Sequence, residues 1–168
     1  ENLEEALDRG RVNRLEIKQA AAEVVVYDLA FEETSKHYPE NTFQYKEAKL
    51  LKEKASLSLE QTKVDVESSI RKSYETLKAT GEMLNEANDM LEQAEESVKL
   101  AEYKYQEGFG VDGGLLKTLD LESASGTIME VLAAEENLAN VEEKVVEIMY
   151  GYNLAKMKYN NDAGNWMY

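Results

Sequence analysis

The segment 41–107 contains no proline and only one glycine, Gly81. Proline and glycine are the residues that most often interrupt a helix, so their near absence here predicts one continuous helix. At 1.5 Å per residue, such a helix would be on the order of 100 Å long. A compact globular domain does not need a helix of this length, so the segment predicts an extended coiled coil.

Two ladders of residues spaced by seven run along this helix. Steps of three and four residues that repeat every seven form the contact seam of a coiled coil. The ladder of larger residues comprises Ile70, Leu77, Leu84, Leu91, Val98 and Tyr105. The ladder of smaller residues, which lets a neighbouring helix approach closely, comprises Ser73, Thr80, Ala87, Ala94 and Ala101.

Two shorter helices are predicted before the long one. The first covers 2–9 and is predicted to end at Gly10. The second covers 14–38 and stops before Pro39, because the residue preceding a proline disfavours helical backbone angles. Its predicted seam consists of Ile17, Ala20, Val24, Tyr27, Phe31, Thr34 and Tyr38.

A loop and a fourth helix are predicted after the long one. Four glycines lie between Gly108 and Gly114, so 108–117 is predicted to be a loop. The fourth helix covers 118–160, and 165–168 is a tail. Its predicted seam consists of Val131, Ala134, Leu138, Val141, Val145, Ile148, Tyr152, Ala155 and Tyr159.

The helix lengths predict how these segments pack. Short connections make successive helices antiparallel neighbours. The helix over 14–38 should therefore pair with the first part of the long helix, and the helix over 118–160 with the remainder. Their ends should meet near Asn13 and Arg14. The predicted fold is all-α, a single domain over 1–164 in which one continuous helix of about 66 residues forms a long antiparallel coiled-coil hairpin with two shorter helices stacked end to end.

The composition argues against several classes of function. Lys and Arg number 19 against 34 Asp and Glu, giving a net charge of −15, and an acidic protein is repelled by nucleic acid and by anionic membrane surfaces. No apolar run approaches the ~20 residues of a membrane-spanning helix. Without cysteine the chain has no thiol chemistry and no disulfide.

No catalytic, cofactor or metal site is predicted, so we do not expect an enzyme. The single histidine, His37, follows Glu33 by four residues, but one such pair makes a poor metal site and is read as surface decoration. A di-iron helical bundle would need Glu-x-x-His motifs on two helices. The paired glutamates at 95–96, 135–136 and 142–143 are read as solvated helix faces.

Several motifs occur in an order that is typical of one family. They are LEEALDRGRVNRLEIKQA near the start, the YP that ends a helix, Tyr105-Gln-Glu-Gly108, the Leu119-Asp120 pair followed by Ala124, and ENLANVEEKVVEIMYGYNLAKMKY followed by Gly164. Together they resemble the TolC-like outer-membrane efflux protein family, over nearly the whole chain to about residue 164. The resemblance implies a helical duct component of an export system.

The chain departs from that family in two ways. The family carries two such repeats and this chain carries one. The family also inserts two membrane strands after the proline, whereas only ENT separates Pro39 from the long helix. A membrane strand needs ~9–11 residues, so two cannot fit there. We therefore expect a natural strandless relative or one half of a longer parent, and favour the strandless relative.

The resemblance also implies partners and a location. They are a periplasmic adaptor (membrane fusion) protein, a transporter and further copies of the chain, in the periplasm or elsewhere in the cell envelope. The outer apolar residues Val25, Val26, Leu29, Leu57 and Val64 are expected to be buried by self-association. An envelope scaffold without a transport role is the alternative function.

The resemblance places the candidate adaptor-docking site at the loop end of the helical hairpin. Its apolar residues either dock on the adaptor or fold back and cap the coiled coil, and the sequence leaves both open. The candidate residues are Tyr105, Gly108, Phe109, Val111, Leu115, Leu116, Leu119 and Asp120.

Overall fold

A computed structural model describes residues 2–107 and 128–165. These residues form four helices and no strand, which confirms the all-α prediction. By contacts they divide into a first unit, 2–77 with 155–165, and a second unit, 78–107 with 128–154; the single domain over 1–164 stays a prediction. The helices are α1 (Leu3–Asn13), α2 (Leu15–His37), α3 (Phe43–Gln106) and α4 (Ile128–Asp162).

Helix α1 does not end at Gly10, as the sequence suggested, but continues to Asn13. Gly10 is the last member of an apolar stripe that begins at Leu3 and includes Ala6 and Leu7, and it is buried. A Cβ at Gly10 would overlap Cδ1 of Ile70 on α3. The glycine therefore serves close helix packing rather than helix termination.

The core of the first unit lies where α1 packs against α3 and the last turns of α4. The ring of Tyr159 lies 5.8 Å from the ring of Tyr74, centroid to centroid, and closes this cluster on one side. The cluster contains residues from all four helices, so its packing sets the position of each helix along its own axis. The buried members are Ala6, Leu7, Ile17, Val66, Ile70, Tyr159 and Ala163.

Helix α2 runs antiparallel to the first part of α3, as predicted. The rings of Phe31 and Tyr45 pack edge to face at 5.3 Å. Farther from the turn, Lys52 Nζ lies 3.0 Å from Asp28 Oδ1 and 5.4 Å from the Phe31 ring centroid. The predicted seam residues of α2 are buried or half-buried, except Tyr38, which is exposed at the end of the pair.

The turn between α2 and α3 is capped by Thr42. The Thr42 backbone N–H donates to the Pro39 carbonyl at 3.0 Å, and Thr42 Oγ1 accepts from the Tyr45 N–H at 3.4 Å. The neighbouring Asn41, with Gln44 three residues on, has the residue types of a capping box, but Thr42 lies one residue closer to the first helical turn and provides the hydroxyl.

In the second unit, α4 runs antiparallel to α3. Lys104 Nζ lies 2.9 Å from Glu130 Oε1, and a Cβ on Gly81 would lie 3.5 Å from Tyr152. As residue numbers rise along α3, those of the contacting residues on α4 fall. The small ladder is buried at Ala87, Ala94 and Ala101.

The large ladder is half-buried from Leu77 to Val98 but fails at its last member. Tyr105 is 50% exposed, because it lies in the final turn of α3, where the described part of α4 provides no cover. Every predicted seam residue of α4 is buried or half-buried. The seam prediction is therefore confirmed for α4 and wrong at Tyr105.

Helix α4 ends in a Schellman motif around Gly164. Gly164 has a φ of +69°, its N–H donates to the Asn161 carbonyl at 3.1 Å, and the Asn165 N–H donates to the Asn160 carbonyl at 2.8 Å. The left-handed conformation at this position favours glycine. Helix α4 therefore ends at a defined residue, Asp162.

Side chains around the α1–α2 boundary cap this helix end. Arg14 is the single residue between the two helices, and its Nη1 donates to the Asn161 carbonyl at 3.2 Å and lies 3.6 Å from Asp162 Oδ1. Arg9 Nε donates to the Ala163 carbonyl at 3.3 Å, and Asn13 Nδ2 to the Gly164 carbonyl at 3.4 Å. The end of α4 thus meets the start of α2 near Asn13 and Arg14, as predicted.

Two glycine substitutions should shift stability in opposite directions. Nothing lies within 4 Å of a Cβ on Gly151, so Gly151→Ala should stabilise the chain by about 0.5–1 kcal/mol through helix propensity. Gly10→Ala should destabilise it by about 1–3 kcal/mol, since the new methyl overlaps Ile70. Thermal unfolding followed by circular dichroism measures both. Equal shifts of the melting temperature in the two variants would contradict the packing role of Gly10.

Arg14 should be the most costly arginine to remove. Its side chain is 12% exposed and that of Asp162 is 7% exposed, so Arg14→Ala leaves a buried carboxylate with only the largely exposed Lys158, whose Nζ lies 3.5 Å from Oδ2, as its ion-pair partner. We expect a loss of about 2–4 kcal/mol in the free energy of unfolding by urea denaturation. Arg71→Ala, on the exposed surface of α3, is the control and should change stability by less than about 0.5 kcal/mol.

Candidate functional site

Most of the predicted docking site lies outside the described residues. Only Tyr105 is described, and its half-exposed ring lies in the last turn of α3. The other seven candidates are Gly108, Phe109, Val111, Leu115, Leu116, Leu119 and Asp120.

An ion pair joins the helix ends on either side of the undescribed 108–127 segment. Lys104 Nζ, in the last turn of α3, lies 2.9 Å from Glu130 Oε1, in the first turn of α4, and both side chains are about 30% exposed.

Exposed apolar side chains surround that ion pair. They lie on both helices, within two turns of the undescribed segment, and of them only Tyr105 belongs to a predicted seam. They are Leu100, Tyr103 and Tyr105 on α3 and Ile128, Met129 and Leu132 on α4. An apolar rim of this kind suits contact with another protein.

A second apolar feature lies on the outside of α3, which we call the α3 stripe: Phe43, Leu50, Leu57 and Val64. These residues are spaced by seven and are between 59% and 74% exposed. A second series on α3, at positions 45, 52, 59 and 66, faces α2 and the core. Each stripe residue lies two positions before a member of that series. Two residues turn a helix by about 200°, so the stripe points away from the intrachain partner.

A matching feature lies on the outside of α2, which we call the α2 stripe: Leu15, Ala22 and Leu29. Leu15 and Leu29 are 59% and 61% exposed, and Ala22 is also exposed. Val25 and Val26 extend this surface. The outer residues expected from the sequence are thus confirmed as exposed, and they belong to two separate stripes on opposite sides of the α2–α3 pair.

The neighbourhood of His37 is an ion-pair cluster on the surface. Glu33 Oε1 lies 3.1 Å from His37 Nε2, and Glu33 Oε2 lies 3.0 Å from Lys36 Nζ. The hydrogen bond from Lys36, then that from His37, lowers the pKa of Glu33, and the Glu33 carboxylate raises the pKa of Lys36. Among the described residues, no three His, Cys, Asp or Glu side chains converge as a metal site would require.

A shallow groove lies between α2 and α3 near their turn. Tyr27, Tyr38 and Leu51 form its apolar wall, and Thr34 and Gln44 add polar groups. It is open to solvent, and Glu47 is the charged residue in its lining. The stripes and the rim near Lys104 stand as the candidate interaction surfaces.

Comparison with protein-family models, curated proteins and solved structures finds no match for this chain. Within 2–107 and 128–165, no helix is both long enough and apolar enough to cross a membrane. The TolC-like resemblance therefore stays a hypothesis that rests on the sequence motifs.

Removing Lys36 should raise the pKa of Glu33. Its hydrogen bond is the largest cause of the lowered pKa, so Lys36→Ala should move the carboxyl titration of Glu33 towards its ordinary value. The paired carboxylate favours the folded state at neutral pH, and this contribution is lost as the pH falls through the lowered pKa. Carbon-detected NMR titration measures the change. An unaltered titration in Lys36→Ala would assign the shift to His37 instead.

Proposed function

We propose that the chain is the helical duct-like domain of an outer-membrane-factor-type efflux or export protein. In this proposal it acts in the periplasm or cell envelope with an adaptor protein and an inner-membrane transporter. The observation that carries the proposal is the joint at Arg14, where α4 ends against the start of α2. Two helices in succession thereby pack on one continuous helix, as the resemblance implies.

The exposed stripes support the part of the proposal that concerns assembly. A chain with apolar residues on both outer sides of a helix pair buries them only when a neighbour covers each side. A duct wall provides such neighbours, since each copy in it has one on either side. The stripes therefore favour an assembly of several copies.

The loop end supports the part that concerns docking. A rim of exposed apolar residues surrounds the Lys104–Glu130 ion pair, and large apolar and aromatic side chains dominate the energetics of protein contacts. The glycine-rich 108–117 segment follows directly in the sequence. We propose that rim and loop together bind the helical hairpin of an adaptor.

A coiled-coil scaffold of the cell envelope is the second candidate function. The same stripes favour it, because a scaffold also needs lateral coiled-coil contacts. The two functions differ at the loop end, since only the duct requires an adaptor there. Adaptor binding therefore decides between them.

The purified chain should bind the helical hairpin of a periplasmic adaptor protein. Tyr105→Ala combined with Leu116→Ala should weaken binding at least about tenfold, equivalent to ~1.4 kcal/mol, because both remove apolar contact area at the proposed surface. Isothermal titration calorimetry measures the dissociation constants.

Met90→Ala is the matched control for this experiment. Met90 is exposed on α3 but lies about five turns before Gly108, so its removal should leave the affinity unchanged. Failure of the wild-type chain to bind any adaptor hairpin would reject the duct and leave the scaffold. Equal weakening by Met90→Ala would reject the loop end as the docking site.

A further inference from the structure

We infer that the α2 stripe of one copy binds the α3 stripe of a second copy, head to tail and in the same register as the α2–α3 pair within the chain. The inference concerns a surface rather than transport, and it rests on the proposed function only for its biological role. It arises from the positions of Leu15, Ala22 and Leu29 relative to Val64, Leu57 and Leu50.

The two stripes lie at matching levels. Within the chain, Asp28 pairs with Lys52 and Phe31 with Tyr45, and these contacts place Leu29 of α2 level with Leu50 of α3. Because α2 and α3 are antiparallel and both stripes advance by seven, the correspondence continues along the pair. One and two steps of seven residues farther along the pair, Ala22 lies level with Leu57, and Leu15 lies level with Val64.

The two stripes also end at the same level on the side away from the turn. At the turn the α3 stripe has one further member, Phe43, which lies level with Lys36 of α2. The α3 stripe ends at Val64, level with the first residue of α2, and the next positions in the same series, seven and fourteen residues on, are Arg71 and Lys78. The outer line of α3 is therefore apolar only where an α2 helix of a neighbouring copy would lie beside it. A general solvent-facing pattern does not explain this boundary.

The charged residues between the apolar levels favour the same partner. In this register Lys18 faces Glu60 of the second copy, and Glu32 faces Lys46. If the α3 stripes of two copies paired in parallel instead, Glu53 would face Glu53 of the other copy and Glu60 would face Glu60. These like charges would repel each other. The charges therefore favour α2 against α3 over α3 against itself in parallel.

Each copy keeps one stripe of each kind on opposite sides. A head-to-tail contact thus leaves a free α2 stripe at one end of a pair and a free α3 stripe at the other. The free stripes can each bind a further copy in the same way, and the assembly closes into a ring where the rotation between neighbours brings the last copy back to the first. The contact itself requires only that the two stripes meet in register.

Engineered cysteines test the contact directly, because the chain has none of its own. We expect an oxidised mixture of Leu29→Cys and Leu50→Cys chains to form a covalent dimer that neither variant forms alone. A mixture of Leu29→Cys and Leu57→Cys is the out-of-register control. Its cysteines would be offset by about 10 Å along the helix, beyond the reach of a disulfide.

Three results would overturn the inference. A covalent dimer of Leu50→Cys alone, or of Leu50→Cys with Leu57→Cys, would show that α3 binds α3. Cross-linking of Leu29→Cys with Leu57→Cys instead of Leu50→Cys would show a shifted register. A wild-type chain that stays monomeric at all concentrations tested by sedimentation would exclude the contact altogether.

Glutamate variants give a second measurement that does not depend on oxidation. Leu29 and Leu50 are 61% and 65% exposed, so Leu29→Glu and Leu50→Glu should fold with unchanged helix content but each lose self-association. Mixing them should restore dimers only, since one intact α2 stripe and one intact α3 stripe remain. Association of Leu29→Glu alone would exclude the α2 stripe. Failed adaptor binding with these results intact would reject the proposed function and not the contact.

Discussion

The capped end of α4 is the contact on which the rest of the first unit depends. Its last carbonyls accept hydrogen bonds from Arg9, Asn13 and Arg14, which lie at or next to the boundary between α1 and α2. A helix C-terminus has carbonyls without intrahelical partners and a partial negative charge, so cationic side chains satisfy both needs. One boundary residue, Arg14, thus sets where α2 begins and where α4 stops. Gly164 makes this possible, since its left-handed conformation turns the chain away before a further turn of helix fills the space.

The size of the seam residues determines how closely the helices approach. Alanines at Ala87, Ala94 and Ala101 are buried, whereas the leucines that alternate with them are only half-buried. Two helices alone cannot enclose a leucine, because each covers the other on one side only. The half-buried leucines and the largely exposed stripes therefore have the same origin: a pair of helices has too little interior for its apolar residues. In the proposed assembly, lateral neighbours would supply the missing cover.

The sequence predicts the helices and their seams because a spacing of three and four repeats over many turns, so single exceptions do not alter it. The prediction from sequence fails where one residue type can serve either of two structural roles. Gly10 was read as a helix stop, yet it permits close packing on Ile70, and local sequence does not distinguish these roles. Thr42 caps α3, and because the neighbouring Asn41 is also a residue type that caps helices, the sequence does not distinguish the two. Tyr105 fits the heptad but has no described partner at the end of the pair. Of the candidate docking site, only this residue is described.

The stripes also limit what the chain can bind. Each has one apolar residue every two turns, with charged residues between, which is narrower than an ordinary coiled-coil seam. A single level contributes little against the repulsion between copies that each have a net charge of −15. Binding therefore needs several levels to meet at once, and a shift by fewer than seven residues would place charged residues against apolar ones. A narrow stripe of this kind favours a partner with the same spacing. In the proposed contact, the α2 stripe of a second copy would match it at three levels.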